Sequence, residues 1–475
     1  MLRQKLISLA ICAVVADAGA NDHVVGKTYT FLSPWEVEES CVVLDNIPGG
    51  IYSADDAARE QALCALDVYD LNVAICPKLR STSPGALIYR LAGGPFAGKQ
   101  AQFENKVCPR GKTLVPEADG PPASFKVTMN AQETSATFST ASLLYYHFSR
   151  YLDTSVFVPV AVYRSIDRNT HEQRVTARGL AWSAGNKALK MNNAAWRVLD
   201  LAETDPETYP ATNELFTADR RNIYGVMLHV KGRRYGAEMN GTRESGWGEG
   251  QIRDFQQTAP FLALKSEQPL PEAIDLGQES ARRDPVLNKA LGADVSTVQM
   301  VYWMRDLTEI TLLDYMFGQQ DRIGNIDFVS SWHWVEDGKT HLGEAAAAPV
   351  IAQGSAPQQV RRTWLNDNDA AGKRQYVNYA KRTGMLEVIR HYNAETYRRL
   401  MALDRDYAAR GELYNYLRDT FGLTTAQFER IVAATRSAAA ILRDTCKAGK
   451  LRFDLDPDRF LTEQSVTPVA LDCDA

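Results

Sequence analysis

The chain has 475 residues, of which 45% are apolar and 23% charged, and its 53 basic and 58 acidic side chains leave a net charge of −5. This is ordinary globular composition, long enough for two or three domains or one large bilobal domain with its own core. A mildly acidic chain with no Lys/Arg block is not built to bind nucleic acid through bulk positive charge. The 31 glycines and 20 prolines, spread along the sequence, exclude a collagenous or wholly disordered protein.

Residues 1–20 open with Arg3 and Lys5, run apolar from Leu6 to Ala16 and end Ala18-Gly19-Ala20. That is the tripartite pattern of a secretory signal cut before Asn21. The apolar run is too short to span a bilayer, and no later segment is apolar for long enough either. An exported chain, periplasmic or secreted and without stable membrane insertion, is expected. Removing the signal takes away Cys12 and leaves Cys41, Cys64, Cys76, Cys108, Cys446 and Cys473. An even count in an exported chain implies disulfides, and the spacing suggests pairing within the first four and within the last two. There is no CxxC and the histidines are scattered, which argues against zinc.

After the signal, residues 21–120 are turn-rich and carry most of the cysteines, leading into an N-terminal lobe over 121–235. Ala86–Leu91 and Phe125–Met129 read as strands from their β-branched and aromatic content. Thr140 to Leu152 reads as a helix, with Leu144, Phe148 and Leu152 four residues apart. Val156–Tyr163 and Val226–Val230 are further predicted strands, and Tyr235–Met239 is read either as a joining segment or as part of a surface hairpin. The run Gly232-Arg233-Arg234 reads as a solvated turn. A helical lobe is predicted over 236–445, with helices at Ser296–Phe317, Met385–Leu403 and Thr425–Leu442, and a tail over 446–475. Phe328–Trp334 and Thr340–Leu342 read as a hairpin around Asp337-Gly338. Residues 344–358, EAAAAPVIAQGSAPQ, are low in complexity and read as a mobile loop. Trp247 and Trp303 are assigned to the core.

The densest chemistry lies between 314 and 369. Directly after the long predicted helix comes Asp314-Tyr-Met-Phe-Gly-Gln-Gln-Asp321-Arg322-Ile-Gly-Asn325, and beyond the hairpin comes Trp364-Leu365-Asn366-Asp367-Asn368-Asp369. Phosphoryl transfer needs a carboxylate to take the hydroxyl proton, oxygen ligands for Mg²⁺ and a cation on the phosphates. Asp321 is the candidate base. Asn325 and Asp367 are candidate metal ligands, with Asp369 assisting, because hard divalent cations prefer such oxygens. Arg322 is read as orienting the loop.

This pattern resembles the atypical kinases of the secretory pathway, the family that includes Golgi casein kinase and Four-jointed. It is more distantly similar to the HipA and phosphatidylinositol kinases. A second anchor is Phe125-Lys126 at the end of a strand, then the helix containing Leu144-Tyr-Tyr-His-Phe-Ser-Arg-Tyr-Leu152, then Val156-Phe-Val-Pro159. The resemblance spans 125–369. It implies an α+β, bilobal protein-kinase-like fold, here disulfide-stabilised, with a strand-containing N-lobe and a mainly helical C-lobe. It also implies ATP with Mg²⁺ or Mn²⁺, Lys126 on the nucleotide phosphates, and a protein or glycan hydroxyl as acceptor. The chain departs from the family in having Ile323 after Asp-Arg and a shorter step to Asn325. It also has no Glu within 140–152; Glu133 is the nearest candidate partner of Lys126. A catalytically inactive pseudokinase acting as a binding or adaptor module, and an exported protein of unrelated fold, stay open.

Two other patterns fail on chemistry. Gly93–Gln100 approximates a phosphate-binding loop but ends in Gln100, which has no hydroxyl for Mg²⁺, so it is read as a turn. Asp367–Asn378 starts like a calcium loop but offers Ala371 and Asn378 where oxygen and a bidentate Glu are needed. Asn240-Gly241-Thr242 is a glycosylation sequon, relevant only in a eukaryote.

Overall fold

The computed structural model describes residues 24–129, 137–209, 214–291, 295–344, 357–371, 377–463 and 466–474. The predicted signal, Glu133 and nearly all of the low-complexity run fall outside these residues. The protein is α+β, with all paired strands antiparallel in two sheets.

The larger sheet is built from β1 (Gly26–Leu32), β2 (Glu38–Leu44), β3 (Val73–Pro77), β4 (Gly85–Arg90), β5 (Ala123–Val127), β6 (Ala161–Asp167) and β7 (Asn222–His229), in the order β1-β2-β6-β7-β5-β4-β3. One sheet therefore draws on both the cysteine-bearing segment and the stretch after residue 121. Strands β3 to β7 are almost wholly buried and read as apolar runs, as strands covered on both faces must. Between β5 and β6 lies the Thr140–Tyr151 helix, one residue short of the predicted end. Between β6 and β7 the chain inserts helices at Ala177–Ser183 and Lys190–Thr204, which the sequence reading did not separate from the surrounding lobe. They dock tightly: a Cβ at Gly179 would lie 2.6 Å from the Trp196 ring.

The second sheet combines β8 (Arg233–Arg234), β9 (Asp327–Glu336), β10 (Lys339–Glu344) and β11 (Gln358–Trp364). β9 and β10 form the predicted hairpin, with Asp337 and Gly338 at φ 51° and 71°, the left-handed pair that a two-residue turn of this hand requires. β11 was not anticipated. The predicted strand Val156–Tyr163 divides: β6 begins only at Ala161, while Phe157 bridges to Trp364 at the end of β11. Pro159 explains the division, since it has no N–H for a ladder.

The Thr297–Phe317 helix runs through the centre of the molecule. Ser296 Oγ accepts the Gln299 N–H at its start, and Gly318, at φ 69°, ends it. Every residue from Val298 to Phe317 is buried, so this helix is covered on all sides rather than amphipathic. Three of its charged residues are ion-paired, Arg305 with Glu309 and Asp314 with Arg322; the Glu309 carboxylate accepts the N–H groups of Ser155 and Val156 at 2.9 and 2.8 Å, and Asp306 Oδ2 that of Thr363 at 3.3 Å. Trp303 is core as predicted; Trp247 is 57% exposed, with the Arg243 guanidinium over its ring, which corrects its assignment to the core.

Two further predictions shift. The helix expected from Met385 begins at Ala394, because Asn393 caps it, accepting the N–H groups of Glu395 and Thr396 at 2.9 and 3.1 Å. Just before it, His391 bridges to Arg452 in extended backbone. The final long helix, Thr425–Lys447, opens with a capping box from Thr424 and Gln427. Disulfides join Cys41–Cys64, Cys76–Cys108 and Cys446–Cys473, each within its expected group. None of the described helices is long and apolar enough to cross a membrane.

Candidate functional site

Lys126 sits on β5, in a cross-sheet row whose register is Lys126 opposite Gly85 on one side and Val226 on the other. Residues in register across antiparallel strands point to the same face. The ammonium of Lys126 reaches Asp367 Oδ1 at 2.9 Å and also bonds Asp369 Oδ1. A lysine from the early sheet thus meets two carboxylates from the loop after β11. Burial works against the Lys126 ammonium, but the two carboxylates outweigh it and hold its pKa above the ordinary lysine value. Asp367 shifts the opposite way. Burial would raise it, yet Lys126, Lys78 and Arg234 together hold it well below the usual carboxylate range.

Asp367 adopts φ 53°, ψ 38°, the left-handed region that a non-glycine residue occupies only when its surroundings enforce it. Those surroundings are visible. Gln319 Nε2 donates to the Asp367 carbonyl at 3.0 Å, and the Phe138 N–H donates to the Asp369 carbonyl at 2.6 Å. The second bond ties the loop to the start of the Thr140–Tyr151 helix.

Asp321 and Asn325 lie on the loop that leaves the central helix. Gln319 Oε1 accepts the N–H groups of Gln320 and Asp321 at 2.7 and 2.9 Å, and the Asn325 amide donates to the Asp321 carbonyl. Arg322 does not pair with its neighbour Asp321. It turns inward, where Nε lies 2.9 Å from Asp314 Oδ2 and Nη2 2.9 Å from Oδ1, while Nη1 donates to the Asn366 carbonyl at 2.7 Å and Nη2 to Asn368 Oδ1 at 2.9 Å. The Tyr145 hydroxyl completes the cluster by donating to Asp314 at 2.6 Å. One buried guanidinium therefore locks the Asp321 loop against the Asp367 loop. The Asp321 carboxyl keeps Oδ1 buried with no hydrogen-bond partner, and burial raises its pKa, aided by the charge of Asp367 and opposed by Arg243.

Two cations at this place were not singled out in the sequence. Arg234, on β8, ion-pairs with Asp327 Oδ1 at 3.0 Å and Asp367 Oδ2 at 3.3 Å and donates to Asn325 Oδ1 at 2.6 Å. The solvated turn expected at Gly232–Arg234 is therefore a strand pair holding the site together. Lys78 follows β3; its N–H bonds the Gly85 carbonyl at 2.9 Å, which extends the row to Lys78, Gly85, Lys126. Gly85 leaves the middle of that row without a side chain, and a Cβ there would meet the Phe125 carbonyl oxygen at 2.8 Å. Burial, and then the charge of Lys126, lower the Lys78 pKa. The run Lys78–Pro84 gave no sign of this, because its partner row is set by strand register.

The sequence-predicted residues thus converge. Lys126 touches Asp367 and Asp369, Arg234 links Asp367 to Asn325, and Asn325 bonds the Asp321 backbone. Their oxygens suit a hard divalent cation, and Arg234 shows that Asp327, Asp367 and Asn325 can surround one positive charge. Among the described residues no group of three or more His, Cys, Asp or Glu side chains is arranged to hold a metal by itself. The Gly93–Gln100 run is a turn leading into the Gln100–Lys106 helix. Asn240 is buried, its amide donating to the Tyr235 and Ile326 carbonyls at 2.8 and 3.2 Å, so the sequon is not available for modification.

No protein-family model matches the chain, and no curated protein is found to be similar to it.

Proposed function

We propose that this protein is an exported, kinase-like phosphotransferase of bilobal organisation that moves the γ-phosphoryl group of ATP to a hydroxyl of a protein or glycan. The observation that carries this reading is the meeting of Lys126 with Asp367 and Asp369, which combines an ammonium for phosphate oxygens with carboxylates for a metal. In this role Lys126, with Lys78 beside it across the bare Gly85 position, holds the nucleotide phosphates. Asp367 and Asn325, with Asp369 assisting, would hold Mg²⁺ or Mn²⁺, which when bound supplies positive charge against the phosphate oxygens. The Asp321 carboxylate accepts the acceptor's hydroxyl proton. The hydroxyl oxygen then bonds to the γ-phosphorus as the bond to the bridging β–γ oxygen breaks, and ADP leaves. Arg322 touches neither reactant and positions both loops.

One observation favours a second reading, the inactive adaptor. The Thr140–Tyr151 helix has no acidic residue to pair with Lys126. Mass spectrometry after incubation with ATP and Mn²⁺ separates the two. Phosphate incorporation in the wild type, falling at least about a hundredfold in Asp367→Ala, is expected of the enzyme; equal incorporation in both removes Asp367 from the site, and none in either favours the adaptor.

A further inference from the structure

A guanidinium surrounded by oxygens from two separate chain segments marks a place where a positive charge is required. Arg234 is such a group: besides Asp327 Oδ1, Asp367 Oδ2 and Asn325 Oδ1, it donates to the Gly324 carbonyl. Asp327 was not among the residues picked out by the motifs. It starts β9 and is buried, and its second oxygen accepts the Asn366 amide at 2.8 Å, so its carboxylate is held in a fixed orientation toward Arg234. The Arg234 side chain, in contrast, is 44% exposed, and it arrives from a strand of only two residues. Asp327 is held in place by Asn366 while the cation it pairs with has a route to solvent.

We propose that the Arg234 guanidinium stands at the position of the divalent cation, that Asp327 is a ligand there together with Asp367 and Asn325, and that the metal binds only as Arg234 swings out. This rests on the reading of Asp367 and Asn325 as metal ligands. The oxygens cannot serve both cations at once, because each Arg234 hydrogen bond occupies a lone pair the metal would use, and two positive charges in contact repel. Affinity for metal is therefore lowered by the strength of the arginine contacts. A bound polyphosphate, carrying negative charge of its own, gives the released guanidinium a new partner, so metal and nucleotide are expected to bind cooperatively.

The test is Mn²⁺ binding to chelator-treated full-length protein, read by the electron paramagnetic resonance of free Mn²⁺ and needing no turnover. Arg234→Met is expected to bind Mn²⁺ at least about tenfold more tightly than wild type. Arg233→Met, which removes the same charge from the neighbouring residue outside the cluster, is expected to stay within about twofold, and adding Asp327→Asn to Arg234→Met is expected to abolish the gain. Equal gains in Arg233→Met and Arg234→Met, or a gain that survives Asp327→Asn, overturn the proposal. If wild type and Arg234→Met bind equally and Asp367→Asn abolishes binding in both, displacement is wrong while the metal reading stands. If neither binds Mn²⁺, both fall.

Discussion

Lys126→Met is expected to destabilise the protein by about 3–5 kcal/mol, measured by urea unfolding at neutral pH. Its ammonium is nearly buried, and it is the group that both the Asp367 and Asp369 carboxylates bond; Asp369 is itself 8% exposed at its side chain. Removing Lys126 leaves the buried Asp369 carboxylate desolvated without its cation, while Asp367 keeps Arg234, and stranding a buried charge costs more than its pairing gained. The penalty belongs chiefly to the stranded Asp369 carboxylate, so Lys126→Met with Asp369→Asn is expected to recover part of the loss. A cost below about 1 kcal/mol for the single variant would mean that the cluster is solvated like a surface pair.

Arg322→Met is expected to cost a similar amount, about 3–5 kcal/mol, and to reduce phosphoryl transfer although Arg322 contacts no reactant. The guanidinium satisfies Asp314 with two parallel bonds and two further acceptors on the Asp367 loop, so its removal strands a buried carboxylate and frees both loops together. Arg322→Lys keeps the charge but cannot reproduce the fork, and is expected to fall between wild type and Arg322→Met. If Arg322→Lys and Arg322→Met are equally stable and equally active, loop positioning by Arg322 is refuted.

These expectations rest on features legible to different degrees in the sequence. The central helix was readable because Ser296 caps it, Gly318 ends it and its apolar residues recur at helical steps. The β9–β10 hairpin was readable from Asp337-Gly338, and the disulfide groups from cysteine spacing. Asp321, Asn325, Asp367 and Asp369 were candidates by their chemistry and order, and Lys126 by the resemblance to the secretory-pathway kinases. Lys78 and Arg234 could not. Their roles come from strand register: Lys78 joins Lys126 only through β3, β4 and β5 lying side by side, and Arg234 meets Asp327 only because β8 pairs with β9. Likewise Pro159 broke a predicted strand whose apolar residues looked continuous, and Asn393 delayed a helix whose periodicity began earlier. Local pattern identifies the segment; long-range pairing decides which side chains share a cleft.

The most direct measurement is a titration of the wild-type protein with ATP in the presence of Mn²⁺, followed by thermal unfolding. Stabilisation that saturates with ATP, and that is lost in Asp367→Asn, is predicted, because a ligand held by the native cluster shifts the unfolding equilibrium by mass action. A melting temperature that does not move with ATP in the wild type, or that moves equally in Asp367→Asn, contradicts nucleotide binding at this cluster.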